Sequence, residues 1–255
     1  MSAPTAGNCA RFADTPIAGG GTPVEVWLGW QSEFPSLQLD HCPGLVVVAP
    51  HPDDETLGFG AAASEIAANG IDVHTVVASD GGAAWSDLSL DEQHRLEEAR
   101  RRESRYAATL LGVPQPTFLG LPDGGLAAHE RDLADALTDI LAERAAGTWC
   151  AATWRGDGHP DHEAVGRAAA VAARRSGAVL LEYPVWMWHW ARPADADVPW
   201  DRAARMASNS LAAQRKQRAL TAFRTQFESH SADRAAILPP YVVARLRGVG
   251  EVVFR

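Results

Sequence analysis

Leu45-Val46-Val47-Val48-Ala49 runs directly into Pro50-His51-Pro52-Asp53-Asp54-Glu55. The first five residues form an unbroken, largely β-branched apolar run, the pattern of a short strand covered on both faces. The next six break that pattern with two prolines, a histidine and three consecutive carboxylates. A strand buried on both sides belongs to a parallel sheet flanked by helices, and in such sheets ligands bind beyond the carboxyl ends of the strands.

Working outward, a helix is expected from about Leu57 to Asn69, closed by Gly70. Val73 to Ala78 reads as a second strand, and Leu90 to Leu111 as a long charged amphipathic helix stopped by Gly112. Thr117-Phe118-Leu119 is a short third strand before the loop Leu121-Pro122-Asp123-Gly124-Gly125. Helix 129–146, strand 148–154, helix 162–176 and strand 178–183 continue the alternation. After Pro184 come a Trp-rich loop, a helix near 209–228 and an apolar segment, 237–254. The fold class is therefore α/β: a Rossmann-like open, mostly parallel sheet with right-handed crossovers, helices on both faces and a C-terminal extension. Residues 1–23, rich in Ala, Gly, Pro and Thr and ending in Gly19-Gly20-Gly21, read as a flexible leader. Residues 24–255 read as a single domain with its core at about 44–190, onto which Trp27, Trp30, Phe34 and Leu37 are expected to pack.

A chain of 255 residues, 46% hydrophobic and 22% charged, can bury a core without disulfides or a structural metal. A metal site in it would therefore be catalytic. The net charge is −9 and the densest basic cluster is Arg100-Arg101-Arg102, which disfavours nucleic acid as a partner. Cys9, Cys42 and Cys150 are odd in number, widely spaced and in no C-x-x-C, so they form neither a disulfide framework nor a zinc knuckle. No secretory signal and no apolar run of membrane-spanning length is evident. The expectation is a cytoplasmic chain with no membrane or nucleic-acid partner; a homo-oligomer is compatible with the sequence.

A second ligand-rich segment, Asp157-Gly158-His159-Pro160-Asp161-His162, follows strand 148–154. Either segment alone would serve as acidic residues at the positive end of a helix. Together they offer imidazoles and carboxylates at strand ends that can meet in space. Zinc takes neutral histidine nitrogens and carboxylate oxygens, and a catalytic zinc keeps one position for water. His51, Asp54 and His162 suffice as ligands, a set that also accepts Fe(II) or Co(II). Asp53 is then the spare carboxylate that takes a proton from the water. His159 is placed to stabilise the oxyanion and protonate the leaving amine.

Ala49 to Glu55 resembles the A-H-P-D-D-E signature of PIG-L/LmbE-like zinc-dependent N-deacetylases, with Pro50 in place of the alanine before the histidine. His159-Pro160-Asp161-His162 matches that family's second signature, H-P-D-H. The likeness extends to Arg100-x-x-Glu103 with Leu111-Gly112, and to Leu119-Gly120-Leu121-Pro122-Asp123-Gly124, covering roughly residues 44–190. The resemblance implies that His51, Asp54 and His162 bind Zn(II), that Asp53 is the general base and that His159 assists the transition state. It puts Arg100 and Asp123 where family members contact sugar hydroxyls, although a loop–helix ion pair would use the same residues. In the mycothiol-pathway branch a tyrosine stands two residues before the first histidine of the second signature. Here Asp157 stands there and joins the substrate-binding candidates. The implied activity is removal of an acetyl group from the nitrogen of an N-acetylglucosamine-like or related small glycoside through a zinc-activated water.

His189 lies in the aromatic stretch Tyr183-Pro184-Val185-Trp186-Met187-Trp188-His189-Trp190, expected at the active-site edge, and is a further substrate-binding candidate. Glu55 reads as a support or helix-start residue and not as a ligand. His41, His74, His94, His129 and His230 fall in no motif. Three alternatives compete: an amidase of the same family on a larger amide or thiol conjugate, a non-heme Fe(II) oxygenase, and a non-catalytic metal- or sugar-binding module. An oxygenase has no use for Asp53 and His159, and a retained base argues against a module. No G-x-G-x-x-G follows strand 45–49, which disfavours a dinucleotide.

Overall fold

The computed structural model describes residues 7–30, 33–39, 41–230 and 234–255. Alternate side chains of Leu45–Ala49 enter two different apolar layers. Leu45 and Val47 pack with Leu57, Phe59 and Ile66, whereas Val46 and Val48 pack with Leu133, Leu137 and Val165. That two-sided burial is the reason an unbroken apolar run is stable as a strand.

The strands are β1 (Ser36–Leu37), β2 (Leu45–Ala49), β3 (Val73–Ser79) and β4 (Thr117–Leu121), then β5 (Trp149–Thr153), β6 (Val179–Tyr183), β7 (Ala203–Met206) and β8 (Val252–Phe254). They form one sheet in the order β1-β7-β8-β6-β5-β2-β3-β4. All pairings are parallel except those of β8 with β6 and with β7. The first five helices are α1 (Asn8–Ala13), α2 (Val24–Leu28), α3 (Asp54–Ala68), α4 (Leu90–Leu111) and α5 (Glu130–Ala142). They are followed by α6 (Pro160–Ser176), α7 (Met187–Trp190), α8 (Ser210–Leu220), α9 (Arg224–Phe227) and α10 (Pro240–Val249). From β2 the chain moves outward through β3 to β4, while β5 and β6 lie on the other side of β2. The order therefore reverses between β2 and β5, and the crevice at their carboxyl ends is the ligand position of such a sheet. Both ligand-rich segments emerge there.

Local chemistry fixes most boundaries. A capping box of Ser89 and Glu92 starts α4, and Gly112, at φ 76°, ends it in the left-handed conformation, so the expected helix is the observed one. Helix α3 begins three residues earlier than expected, at Asp54, because Asp54 and Glu55 suit the positive end of a helix. The expected helix 209–228 is two helices, α8 and α9. The C-terminal extension completes the sheet, since β8 inserts between β6 and β7. No helix among the described residues is long and apolar enough to cross a membrane.

From Gly7 onward the N-terminal stretch makes specific contacts with the rest of the chain. Asn8 Nδ2 donates to Gly156 O at 2.8 Å, Arg11 pairs with Asp195, and Arg245 and Tyr241 bond the carbonyls of Gly20 and Ile17. Trp27 packs edge-on against Trp188 at 5.0 Å and its Nε1 donates to Trp188 O. From the other end of the chain, Lys216 and Glu251 reach into α3. Glu251 accepts the amides of Ala61 and Ala62 at 2.8 Å each, and Lys216 Nζ donates to Leu57 O at 2.7 Å and to Glu251 at 2.8 Å. The C-terminal segment thus grips the helix whose first turn carries Asp54.

Candidate metal and catalytic site

The turn after β2 is conformationally costly. Asp53 has φ 153°, a region that residues with a side chain avoid, and it persists because its surroundings hold it. Glu55 Oε2 accepts the Asp53 amide at 3.0 Å, and Glu55 Oε1 accepts from Ser104 Oγ at 3.3 Å. Asp53 stands at the N-cap of α3, yet its side chain makes no capping bond. The side chain caps no helix amide and lines the cavity instead. Asp54, one residue on, accepts from the His51 amide at 3.2 Å and lies 3.2 Å from His51 Nδ1.

The second segment approaches from β5. His159 caps α6, its Nδ1 accepting the Asp161 amide at 3.2 Å, with Pro160 at the first helical position. One turn of helix then directs His162 inward, and its Nε2 lies 3.2 Å from Asp54 Oδ2. Ligand-type atoms of His51, Asp54 and His162 all fall within 4.8 Å of one another. His162 Nε2 is buried without a hydrogen-bond partner. An orphaned imidazole nitrogen aimed at a carboxylate and a second imidazole fits a cation, since a buried polar atom otherwise finds a partner. A second group, His51, His159 and Asp161, is equally close, but both Asp161 oxygens are occupied by the Gly124 and Leu126 amides at 2.7 and 3.1 Å.

The ring atoms facing away from this centre are held by carboxylates, the usual support of metal-binding histidines. His162 Nδ1 lies 2.8 Å from Asp157 Oδ2, and His51 Nε2 lies 3.0 Å from Asp123 and 3.3 Å from Asp161. The carboxylates around the two imidazoles favour their protonated forms. Burial lowers the His162 pKa, but Asp54 and Asp157 outweigh it and raise it to about 9. His51 is raised well above its ordinary value against the same opposition from burial, by Asp123, Asp161 and Asp54. Asp54 is lowered, the two imidazoles outweighing its burial. Asp53 goes the other way: burial and then Asp54 push it up to about 8, with Arg100 opposing. Burial, followed by the neighbouring His162 and His51, lowers His159 to about 3.

His51, Asp53, Asp54, Arg100, Asp123 and His159 line one cavity of about 270 Å³. Arg100 is buried on α4, donating to Gly81 O at 2.9 Å and pairing with Asp53 at 3.4 Å, so it makes the loop–helix ion pair and also borders the cavity. Asp123 accepts the Ala83 amide at 2.7 Å. Two of the expected substrate contacts have partners within the protein. Asp157 is wholly buried, and its oxygens accept the amides of Val185, Trp186 and Met187, all at 2.9 Å, besides facing His162. His189 is buried between Thr15 O at 3.0 Å and Arg245 at 3.1 Å, tying the two chain ends together and not lining the cavity. From the aromatic stretch it is Val185 and Trp186 that line it. Sequence reasoning missed Asp161 as a support for His51, although it sits inside the second motif. It also missed Phe12, Ile17, Gln226, Ile237 and Leu238, which no local signal marks.

An α/β sheet with a two-histidine, one-carboxylate centre at its switch point defines a class, and the sequence places the chain within it. The chain belongs to the PIG-L family, whose profile, described as GlcNAc-PI de-N-acetylase, matches residues 46–173. It is 30% identical over 237 residues to a 1D-myo-inositol 2-acetamido-2-deoxy-alpha-D-glucopyranoside deacetylase from a Nocardioides species, covering 78% of this chain and 74% of that one. A protein of the same name from Mycolicibacterium paratuberculosis is 33% identical over 143 residues, which are 47% of this chain and 48% of that relative. The chain thus matches about half the length of the latter. Among solved structures, a conserved protein from Thermus thermophilus superposes with a TM-score of 0.56 at 26% identity, covering 79% of this chain and 84% of the other.

Proposed function

We propose that this chain is a metal-dependent N-deacetylase that removes an acetyl group from the nitrogen of an N-acetylglucosamine-like glycoside. The observation that carries this reading is His162 Nε2, buried, unpartnered and 3.2 Å from Asp54 Oδ2. His51, Asp54 and His162 would hold the ion, and two nitrogens plus one oxygen are the donors of a catalytic zinc with positions to spare. When bound, such a dication supplies Lewis-acid polarisation of the amide carbonyl and brings the acidity of water to a pKa of about 7. The names of the two relatives, both deacetylases of a 2-acetamido-2-deoxy-glucopyranoside, support the substrate class.

Asp53 accepts the proton of the attacking water. Its carboxyl, pushed up to about 8 by burial and its acidic neighbours, falls again beside a dication and is ionised at neutral pH. His159 accepts the Asp161 amide at Nδ1, which leaves Nε2 carrying the ring proton. Burial and the neighbouring His162 and His51 lower the pKa of His159, which favours the neutral ring as a hydrogen-bond donor to the developing oxyanion. The proton taken by Asp53 passes to the leaving nitrogen, directly or through His159, as the C–N bond breaks. Acetate keeps the water oxygen, and the free amine departs.

The test is amine release from N-acetyl glycosides by metal-loaded, chelator-stripped and metal-restored protein. Loss on stripping and recovery with Zn(II), Co(II) or Fe(II) is expected, and the order of recovery ranks the metals. Full turnover by protein shown to be metal-free overturns the reading, as does the absence of amide hydrolysis under all three metals.

A further inference from the structure

The cavity has two unlike halves. One holds the carboxylates, imidazoles and Arg100; the other is walled by Phe12, Ile17, Val185, Trp186, Ile237 and Leu238. These six side chains belong to one continuous apolar cluster. The Phe12 ring lies 5.1 Å from Trp186 and 6.0 Å from His159, so the apolar wall adjoins the reacting groups directly. Phe12, Ile17 and Ile237 are only partly buried, which leaves their apolar surface to be covered by whatever enters. The wall is also fixed in place. Asn8 bonds Gly156, the Thr15 carbonyl meets His189, Tyr241 bonds the Ile17 carbonyl, and the Leu238 amide bonds Gln226 O at 2.9 Å. All of the wall lies outside 46–173, so the segments flanking the family-matched stretch furnish the wall while that stretch furnishes the chemistry.

The polar half offers the groups that a sugar and its amide need, and the apolar half offers none of them. We infer that the substrate carries an apolar group of several carbon atoms beside the amide, seated against Phe12, Trp186 and Ile237. The inference rests on the metal-dependent amide-hydrolase reading of the same site: in one form it narrows the N-acetyl glycoside to one with an apolar aglycone, in the other it extends the acyl group beyond acetyl. The group has two chemical sources, an alkyl or aryl aglycone or an N-acyl chain longer than acetyl.

Two substrate series on the zinc-loaded full chain separate the sources: N-acetylglucosamine methyl, propyl and hexyl glycosides, and methyl glycosides with N-acetyl, N-butyryl and N-hexanoyl groups. Along the series that reaches the wall, kcat/KM should rise about fourfold per added methylene until the wall is covered. Phe12→Ala, and separately Ile237→Ala, should flatten that rise. Calorimetric binding of the products, hexyl against methyl glucosaminide and hexanoate against acetate, reads the wall without hydrolysis. Hydrolysis that is flat or falling along both series, with product binding equally flat, overturns the inference and leaves the deacetylase reading standing. Graded product binding without any amide hydrolysis does the reverse.

Discussion

His162 Nδ1 sits 2.8 Å from Asp157 Oδ2, and neither side chain has any exposed surface. The remaining capacity of Asp157 goes to three backbone amides at the start of the aromatic stretch. One carboxylate therefore fixes the direction of His162 Nε2 and the course of the cavity wall at Val185 and Trp186. Asp157→Asn keeps the volume but removes the charge that His162 faces. It should weaken zinc affinity by about 10–100-fold, with KM for an N-acetyl glycoside little changed at saturating zinc. A raised KM with unaltered zinc affinity would restore Asp157 as a substrate contact.

Protonation of the metal-free centre gives a second prediction. His162, raised from its ordinary 6.5 to about 9, contributes stability that is complete below 6.5 and lost as pH climbs to about 9. Asp53, raised from 3.8 to about 8, acts with the same sign, because the folded chain holds its proton more tightly than the unfolded one. The Tm of metal-free protein should therefore fall between pH 6.5 and 9, while metal-loaded protein stays flatter. Zinc must displace these protons, so its apparent affinity should rise with pH over the same interval. A metal-free Tm that is level or rising there contradicts the assignment.

Asp53 and Asp54 should separate in function despite being neighbours. Asp54→Ala should lose zinc together with activity, whereas Asp53→Asn should keep zinc and lose about 10²–10⁴-fold in kcat. Arg100 favours the ionised form of Asp53 across 3.4 Å. Arg100→Lys, which shortens that reach, should move the acidic limb of the kcat/KM profile to higher pH with zinc content intact. An unmoved limb would confine Arg100 to its bond with the Gly81 carbonyl.

Glu251→Ala should be among the most destabilising single changes away from the cavity. It strands the buried ammonium of Lys216 and leaves the amides of Ala61 and Ala62 unpaired inside α3. Breaking a buried pair from one side costs about 3–5 kcal/mol, or roughly 10 °C in Tm for a domain of this size. Thermal unfolding of the variant beside Lys216→Met/Glu251→Gln measures this, and a shift under about 2 °C for Glu251→Ala would show that the pair carries little.

The strand core and the ligand-type residues at the strand ends were legible in the chain before any contact was known. The run 45–49 reads as a strand buried on both faces, and the His and Asp residues stand directly after it and after β5, but it is the adjacency of β2 and β5 that brings them together. Helix α4 was legible to its ends because Ser89, Glu92 and Gly112 act locally. What tertiary structure alone decided is whatever depends on contacts distant in sequence. Asp157 and a tyrosine-bearing relative's residue occupy the same place in the motif, but only packing shows that the Asp157 carboxylate is spent on amides 28–30 residues later. The aromatic stretch places His189 near the cavity, but only packing shows that its ring nitrogens meet Thr15 O and Arg245. The apolar wall joins Phe12 to Ile237, residues whose neighbours in the chain carry no periodic or motif signal. Hydrophobic patterning reports which side chains leave water, and it does not report which distant partner they meet.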